Sequence, residues 1–370
     1  MAVKHPVAVS LPRAWAESEL SALRYNLRVA REVGGCEVMP VVKAGAYGHG
    51  LEEIARALAT EDIAFFGVAN VGEARRIRHA GVSNRIYLLG ATWSEEREEV
   101  VAQDWTPCLS SLDEARHFNE LAADVGTRLK VHLAVDTGMG RGGFVAEDLP
   151  KVLTELLTLE HLEIEGLGSH LPSADEDREF TLGQFACFEK VLAELGGVDR
   201  FRWRHLSSSA GLLGYPAGSC NLTRPGLLLY GISPLPEHQK KLRTVMTLKS
   251  RVTLIRTLPP GHGVSYGRSF VTTRSTRVAT VGIGYGDGYP RHVSGNGAEV
   301  SIRGQRFPLL GRVTMDQVMI DVTDGPAVTE GDEVEMFGPN ISVAEIAAKA
   351  STISWEIFTG ITPRVTRVYL

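Results

Sequence analysis

At 370 residues, with 44% hydrophobic and 22% charged content, the chain is long enough to bury a large core and to form two domains. A formal net charge of -5, with both signs scattered, excludes a basic surface built to hold nucleic acid, and no apolar stretch approaches the length of a membrane span. Residues 1–13 lack the apolar core of a secretion signal, so a cytoplasmic location is expected, and Cys36, Cys108, Cys187 and Cys220 are too widely spaced to suggest a disulfide frame or a metal site. All four cysteines read as small core residues.

Taken in chain order, Val7 and Val9 alternate within residues 1–10 and fit a strand, and residues 14–33 fit a helix. From Cys36 to Tyr230 one pattern recurs: a short apolar run, a polar or glycine turn, then a segment with helical spacing. The runs lie near 37–43, 63–69, 85–90, 105–109, 129–136, 162–169, 202–207 and 222–230, with helix candidates at 51–60, 72–80, 111–123 and 180–195 among them. Parallel strands alternating with helices in this number describe an α/β fold, the (β/α)8 TIM-type barrel. After Pro234 and Pro236 the pattern changes to short alternating strands at 251–258, 275–283, 299–303 and 317–322, a mostly β C-terminal domain. One helix interrupts it, with Ser342 and Glu345 at capping-box spacing ahead of 346–350. The expected domains are a barrel over 11–240 and a β domain over 241–370, with residues 1–10 joining the latter.

Barrel enzymes carry their chemistry on the loops that follow the strands. Lys43 ends the first run, inside Val-Val-Lys-Ala-Gly-Ala-Tyr-Gly-His-Gly (41–50), where Gly45, Gly48 and Gly50 suit a backbone that bends close to a ligand. A lysine ending a strand is usually only solvated. One partly desolvated in a cleft has a lowered pKa and serves as nucleophile and base, as an aldehyde cofactor requires. Asp136 and Arg141 follow the fifth run, Ser169 and His170 end the sixth, Ser207, Ser208 and Ser209 end the seventh, and Arg224 and Gly226 lie in the eighth. A lone histidine is more often a core or surface residue, and the serines fit a helix N-cap as well as a phosphate site.

The 41–50 segment resembles the lysine motif of alanine racemases, V-V-K-A-N-A-Y-G-H-G, with Gly45 in place of asparagine. The resemblance implies that Lys43 holds pyridoxal 5'-phosphate and that Tyr47 donates its hydroxyl to the phosphate. It implies further that His170 packs on the cofactor ring, that Ser209, Gly226 and Leu227 cradle the phosphate, and that Arg224 faces the pyridine nitrogen. An arginine is effectively always protonated and cannot accept the proton that would make that nitrogen cationic, which favours racemisation over transamination.

Racemisation by proton removal and return needs a base on each face of Cα. Gly-Val-Ser-Tyr-Gly-Arg-Ser-Phe (263–270) is similar to the segment that carries the catalytic tyrosine in alanine racemases, which makes Tyr266 the second base. A phenol is a poor base at neutral pH unless cations stabilise the phenolate, and Arg141, His170 and Arg224 are the groups to supply that field. Residues 284–291 and 311–317, and the tail with Arg364 and Arg367, extend the resemblance to the whole chain. It implies substrate contacts by Arg141, Tyr285, Met315 (through its backbone N–H) and Asp316. Tyr266, Tyr285, Met315 and Asp316 would come from the partner subunit of a head-to-tail homodimer. The implied activity is interconversion of L- and D-alanine, supplying D-alanine for peptidoglycan. The rivals are a broader amino-acid (serine) racemase, a decarboxylase on the same barrel, and a single-barrel cofactor-binding protein without turnover, which would lack residues 245–370.

Three departures stand out. Gly45 should loosen the lysine turn. Ala134 occupies the place of a lysine that is carbamylated in many relatives and braces the arginine equivalent to Arg141, so Lys130 or a bound anion is expected to substitute. Pro363 replaces a tyrosine that narrows the entrance in some relatives, which predicts a wider gate.

Overall fold

The computed structural model describes residues 12–370, in two compact units: Leu20–Arg243, and the described residues through Glu19 together with Thr244–Leu370. The expected strand at 1–10 lies outside the described residues.

Leu20–Arg243 contains the parallel strands Glu37–Val38, Phe66–Val68, Ile86–Leu88, Cys108–Leu109, Leu129–Asp136, Leu162–Gly168, Trp203–His205 and Leu222–Thr223. Each joins the next by parallel pairing or a bridge, from Val41 against Gly67 to Gly166–Gly168 against Trp203–His205. Asn221 N to Arg204 O and Arg224 N to Ser207 O, both 3.0 Å, join the last two strands. Leu222–Thr223 then pairs with Glu37–Val38, so the ring closes as the (β/α)8 barrel and has no free edge. Helix Leu20–Gly34 buries Leu23, Leu27 and Ala30, one face at helical spacing. Asn70, Ser111 and Asp177 cap three further helices through their side chains.

In the second unit, Met246–Leu258 pairs with Thr276–Val281, and the path runs on through Val318–Asp321, Gln305–Leu310, Glu299–Ile302 and Glu333–Phe337 back to Met246–Leu258. This is a closed antiparallel barrel-like sheet. Ala14–Ser18 and Thr366–Tyr369 extend it. Ser342 Oγ accepts from Glu345 N at 3.1 Å and caps helix Val343–Lys349, as the spacing predicts.

Several elements differ from expectation. The helix expected from residue 14 begins at Leu20, and Ala14–Ser18 is a strand. Trp15 Nε1 donates to Glu17 Oε1 at 2.8 Å, a contact between residues two apart that share a strand face and would diverge on a helix. Ala-Trp-Ala-Glu has no strong local preference; pairing with distant strands decides it. The run at 222–230 is a strand only to Thr223, because Pro225 has no N–H for the ladder, and Leu227–Tyr230 winds into a 3-10 turn. Of the cysteines only Cys108 is buried; Cys36, Cys187 and Cys220 are half-buried. No helix among the described residues is long and apolar enough to cross a membrane.

Candidate active site

Lys43 opens a left-handed turn. Ala44, Gly45 and Ala46 have φ/ψ of 53/48, 64/39 and 54/51, and Tyr47 and Gly48 continue it at φ 52 and 78. L-residues disfavour this conformation by roughly 1–2 kcal/mol each, so Ala44, Ala46 and Tyr47 store strain that the surroundings must offset. Position 45 demands the left-handed region, where glycine fits without steric cost and asparagine is the next best choice. The expected loosening is therefore accompanied by relief of strain at that position. Burial lowers the Lys43 pKa, Arg141 and Arg224 push it the same way, and Glu73 opposes them. The half-buried amine is thus more readily deprotonated than an ordinary lysine.

Tyr47 is buried, stacks on Tyr230 at 4.7 Å between centroids, and points its hydroxyl at Gly226. Burial, reinforced by Glu73, raises its pKa, so it remains a neutral donor. Ser209 Oγ accepts from Gly226 N and Leu228 N, both at 3.1 Å. Leu227 lies between them and begins the 3-10 turn. A Cβ at Gly226 would run into the Tyr47 hydroxyl and lie 2.8 Å from Cζ. This cradle of small groups around one hydroxyl fits a phosphate. Gly226→Ala is expected to weaken pyridoxal 5'-phosphate binding at least about tenfold, because overpacking at a buried site costs about 1–3 kcal/mol. Fluorescence titration checks it, and an unchanged Kd would show that Tyr47 yields freely.

Arg224 is buried, and both its Nη atoms are engaged. Nη1 contacts His205 Nδ1, while Nη2 donates to Ser169 O, to Leu206 O at 3.3 Å and to His170 Nδ1 at 3.2 Å. No carboxylate among the described residues pairs with it, and Nε has no acceptor there. A polar chain continues from it through the barrel core. With His205 Nδ1 accepting from Arg224, the His205 Nε2–H faces His132 Nδ1 at 2.9 Å, and the His132 Nε2–H faces Glu165 Oε1 at 3.4 Å. Arg85 Nη2 ends the chain on Glu165 at 2.5 Å. Although burial opposes it, His132 and Arg85 hold Glu165 at about 2.

Burial, then Arg224, Arg141 and Lys43, pushes His170 down to about 3, and burial lowers His132 and His205 too. His170 is therefore neutral at pH 7, which corrects the expectation that it supplies positive field. Because the folded imidazoles bind protons more weakly than the unfolded ones, stability is full above about pH 6.5 and falls as pH drops through that value towards 3. Glu165 adds a further loss between about pH 4.5 and 2. Urea unfolding midpoints are expected to be level from pH 8 to 7 and to decline below about 6.5; a midpoint at pH 5 equal to that at 7.5 contradicts this.

Asp136 shapes the loop before Arg141, its Oδ1 accepting from Gly138 N and Met139 N at 2.8 Å and its Oδ2 from Gly140 N at 2.9 Å. Arg141 is exposed, and no carboxylate among the described residues pairs with it. Lys130 and Ala134 lie on one face of strand Leu129–Asp136.

In the second unit, residues 311–317 tie two turns together. Ser265 Oγ donates to Arg312 O at 2.6 Å and holds the turn of Tyr266, in which Ser265, Gly267 and Arg268 all have positive φ. Tyr285 N donates to Thr314 O at 3.0 Å and Gly286 N to Met315 O at 2.8 Å. Tyr266, Met315 and Tyr285 are 68%, 52% and 40% exposed, and no acceptor among the described residues takes the Met315 N–H. The Asp316 carboxylate is held by Arg364 Nη2 at 2.6 Å. Asp287, fully buried, takes Arg13 Nη2 at 2.7 and 2.9 Å and Gly284 N at 3.0 Å, and Arg364 Nε lies 3.3 Å away. Asp287 and Arg13 escaped the sequence reading, as did Glu73, His132, Glu165 and His205. For Glu73 a signal existed: Asn70 and Glu73 have capping-box spacing.

Comparison with known proteins agrees with this geometry. The alanine racemase N-terminal domain matches residues 18–234 and the alanine racemase C-terminal domain matches residues 245–369. The chain is 39% identical over 368 residues to the alanine racemase of Halothermothrix orenii, covering 96% of each. It superposes on an alanine racemase structure from Clostridium difficile 630 with a TM-score of 0.92 at 34% identity, covering 98% of this chain and 97% of that one. A Bartonella henselae alanine racemase with covalently bound pyridoxal phosphate gives 0.89 at 30% identity, covering 97% of this chain and 100% of that one. These relatives do not favour the decarboxylase or serine racemase alternatives. Matched in both halves and along nearly its whole length, the chain belongs to the alanine racemase family.

Proposed function

We propose that the protein interconverts L- and D-alanine with pyridoxal 5'-phosphate held on Lys43, and that Lys43 and Tyr266 act on opposite faces of Cα. The observation that carries this is the Lys43 amine, its pKa lowered by burial and two arginines, on a left-handed turn, together with an Arg224 that no carboxylate among the described residues neutralises. When bound, the cofactor draws electrons from the substrate Cα and so acidifies its proton. The chain supplies the rest. Tyr47, Ser209, Gly226 and Leu227 hold the phosphate, neutral His170 packs on the ring, and Arg224 keeps Nε for the ring nitrogen.

Lys43 Nζ takes or returns the Cα proton on one face, and the Tyr266 hydroxyl does so on the other. Exposure of Tyr266, Tyr285 and Met315 supports a head-to-tail homodimer in which they, with Asp316, serve the Lys43 site of a second copy, Arg141 completing the substrate site. Leu20–Arg243 is then the cofactor-binding domain, and Thr244–Leu370 with the described residues through Glu19 the domain lent to the partner. The physiological reading is a cytoplasmic enzyme supplying D-alanine for peptidoglycan. Purified protein with pyridoxal 5'-phosphate and L-alanine should form D-alanine, followed with a D-specific oxidase. Release of amine or pyruvate without D-alanine would overturn the reading.

A further inference from the structure

One N–H of the Lys43 turn is taken by a side chain from another element. Ala46 N donates to Val42 O, Gly48 N to Ala44 O and Gly50 N to Gly45 O, whereas Ala44 N finds no backbone acceptor. Glu73 takes it: Oε1 accepts from Ala44 N at 2.5 Å, and Oε2 accepts from Ala69 N at 2.9 Å. Glu73 is only 9% exposed and stands at the third position of helix Val71–His79, its own N–H bound to Asn70 Oδ1 at 2.9 Å. A second barrel helix repeats the cap. Ser111 Oγ accepts from Glu114 N, and Glu114 Oε2 accepts from Ser110 N at 2.8 Å. Capping therefore explains one oxygen of Glu73 and not the other.

We propose that Glu73 is a positioning residue for racemisation, its carboxylate pinning the left-handed turn at Ala44 and giving the Lys43 ammonium its counter-charge. This rests on the reading of Lys43 as the cofactor lysine and base. The charged and titratable groups acting on the amine are Arg141, Arg224, His170 and Glu73, of which Glu73 alone is acidic. A Lys43 that has taken a proton from Cα stands among two guanidiniums and a neutral imidazole; without Glu73 nothing anionic among these holds that proton until it is returned. The same carboxylate satisfies the first N–H of a turn that three non-glycine residues enter at a cost.

Holoenzymes of the parent, Glu73→Gln, Glu73→Asp and Glu114→Gln are compared through pH profiles of kcat for L- and for D-alanine, which report groups in the enzyme–substrate complex, where the Lys43 amine is free. Lys43 is the base in one direction only. Glu73→Gln should move the basic-group limb of that direction to lower pH by about one unit, the effect of losing a nearby opposite charge, and leave the other direction's limb in place. Glu73→Asp, which keeps the charge, should restore the limb while remaining slower, and Glu114→Gln should overlay the parent. A purely structural role would lower both directions without moving a limb. Unshifted limbs in Glu73→Gln overturn the proposal. Borohydride reduction and peptide mapping test the underlying reading separately: cofactor trapped on a lysine other than Lys43 removes the premise.

Discussion

Lys43→Ala is expected to lose both the covalently held cofactor and all measurable turnover, a fall of at least about a thousandfold, because one side chain serves as tether and as one of two bases. Borohydride reduction should then leave no adduct, and dialysis should remove the pyridoxal 5'-phosphate that the parent retains. The loss should be chemical and not structural. The strained part of the turn begins at Ala44, whose N–H stays bound to Glu73, and the backbone bonds of Ala46, Gly48 and Gly50 do not involve the Lys43 side chain. Circular dichroism and the Tm of the cofactor-free variant should match those of the cofactor-free parent. A variant that keeps a reducible adduct would place the cofactor on another lysine and end the assignment.

The barrel was legible because its strands are short, buried on both faces and punctuated by polar turns, a pattern that local composition carries. Residues 129–136 form a strand with the bounds the sequence indicates. Strands fixed by distant partners were not legible in this way. Ala14–Ser18 is extended only because Met246–Ser250 and Thr366–Tyr369 lie beside it, and Gln305–Leu310 carries Pro308 and Arg306, which mask its strand character locally.

The site divides along the same line. Lys43, Tyr47, Arg224 and Tyr266 stand in motifs that announce themselves, whereas the groups that tune them are scattered singles. His132, Glu165 and His205 occupy inward positions of separate strands, and only the closed barrel aligns them behind Arg224. A buried carboxylate such as Glu73 resembles any helix-capping glutamate until the second oxygen is seen to reach another element. The charge of His170 could not be read from position either; it depends on how completely the fold removes water and on the arginines around it.

Tyr266→Phe should retain the cofactor and lose racemisation in both directions, by about a hundred- to ten-thousandfold, the usual contribution of a positioned acid or base. The substitution removes one hydroxyl for which no hydrogen bond exists among the described residues, from a side chain 68% exposed, on a turn whose shape is held by Ser265 and the backbone of Arg312. Folding and cofactor affinity should therefore be unchanged. The informative readout is isotope exchange in heavy water. With Lys43 intact, the enantiomer whose Cα–H faces the amine should exchange its proton for deuterium without inverting, while the other should exchange neither. Washout confined to one enantiomer cannot arise from a single group serving both faces. Racemisation at the parental rate, or washout from both enantiomers, would show that some group other than Tyr266 works the second face.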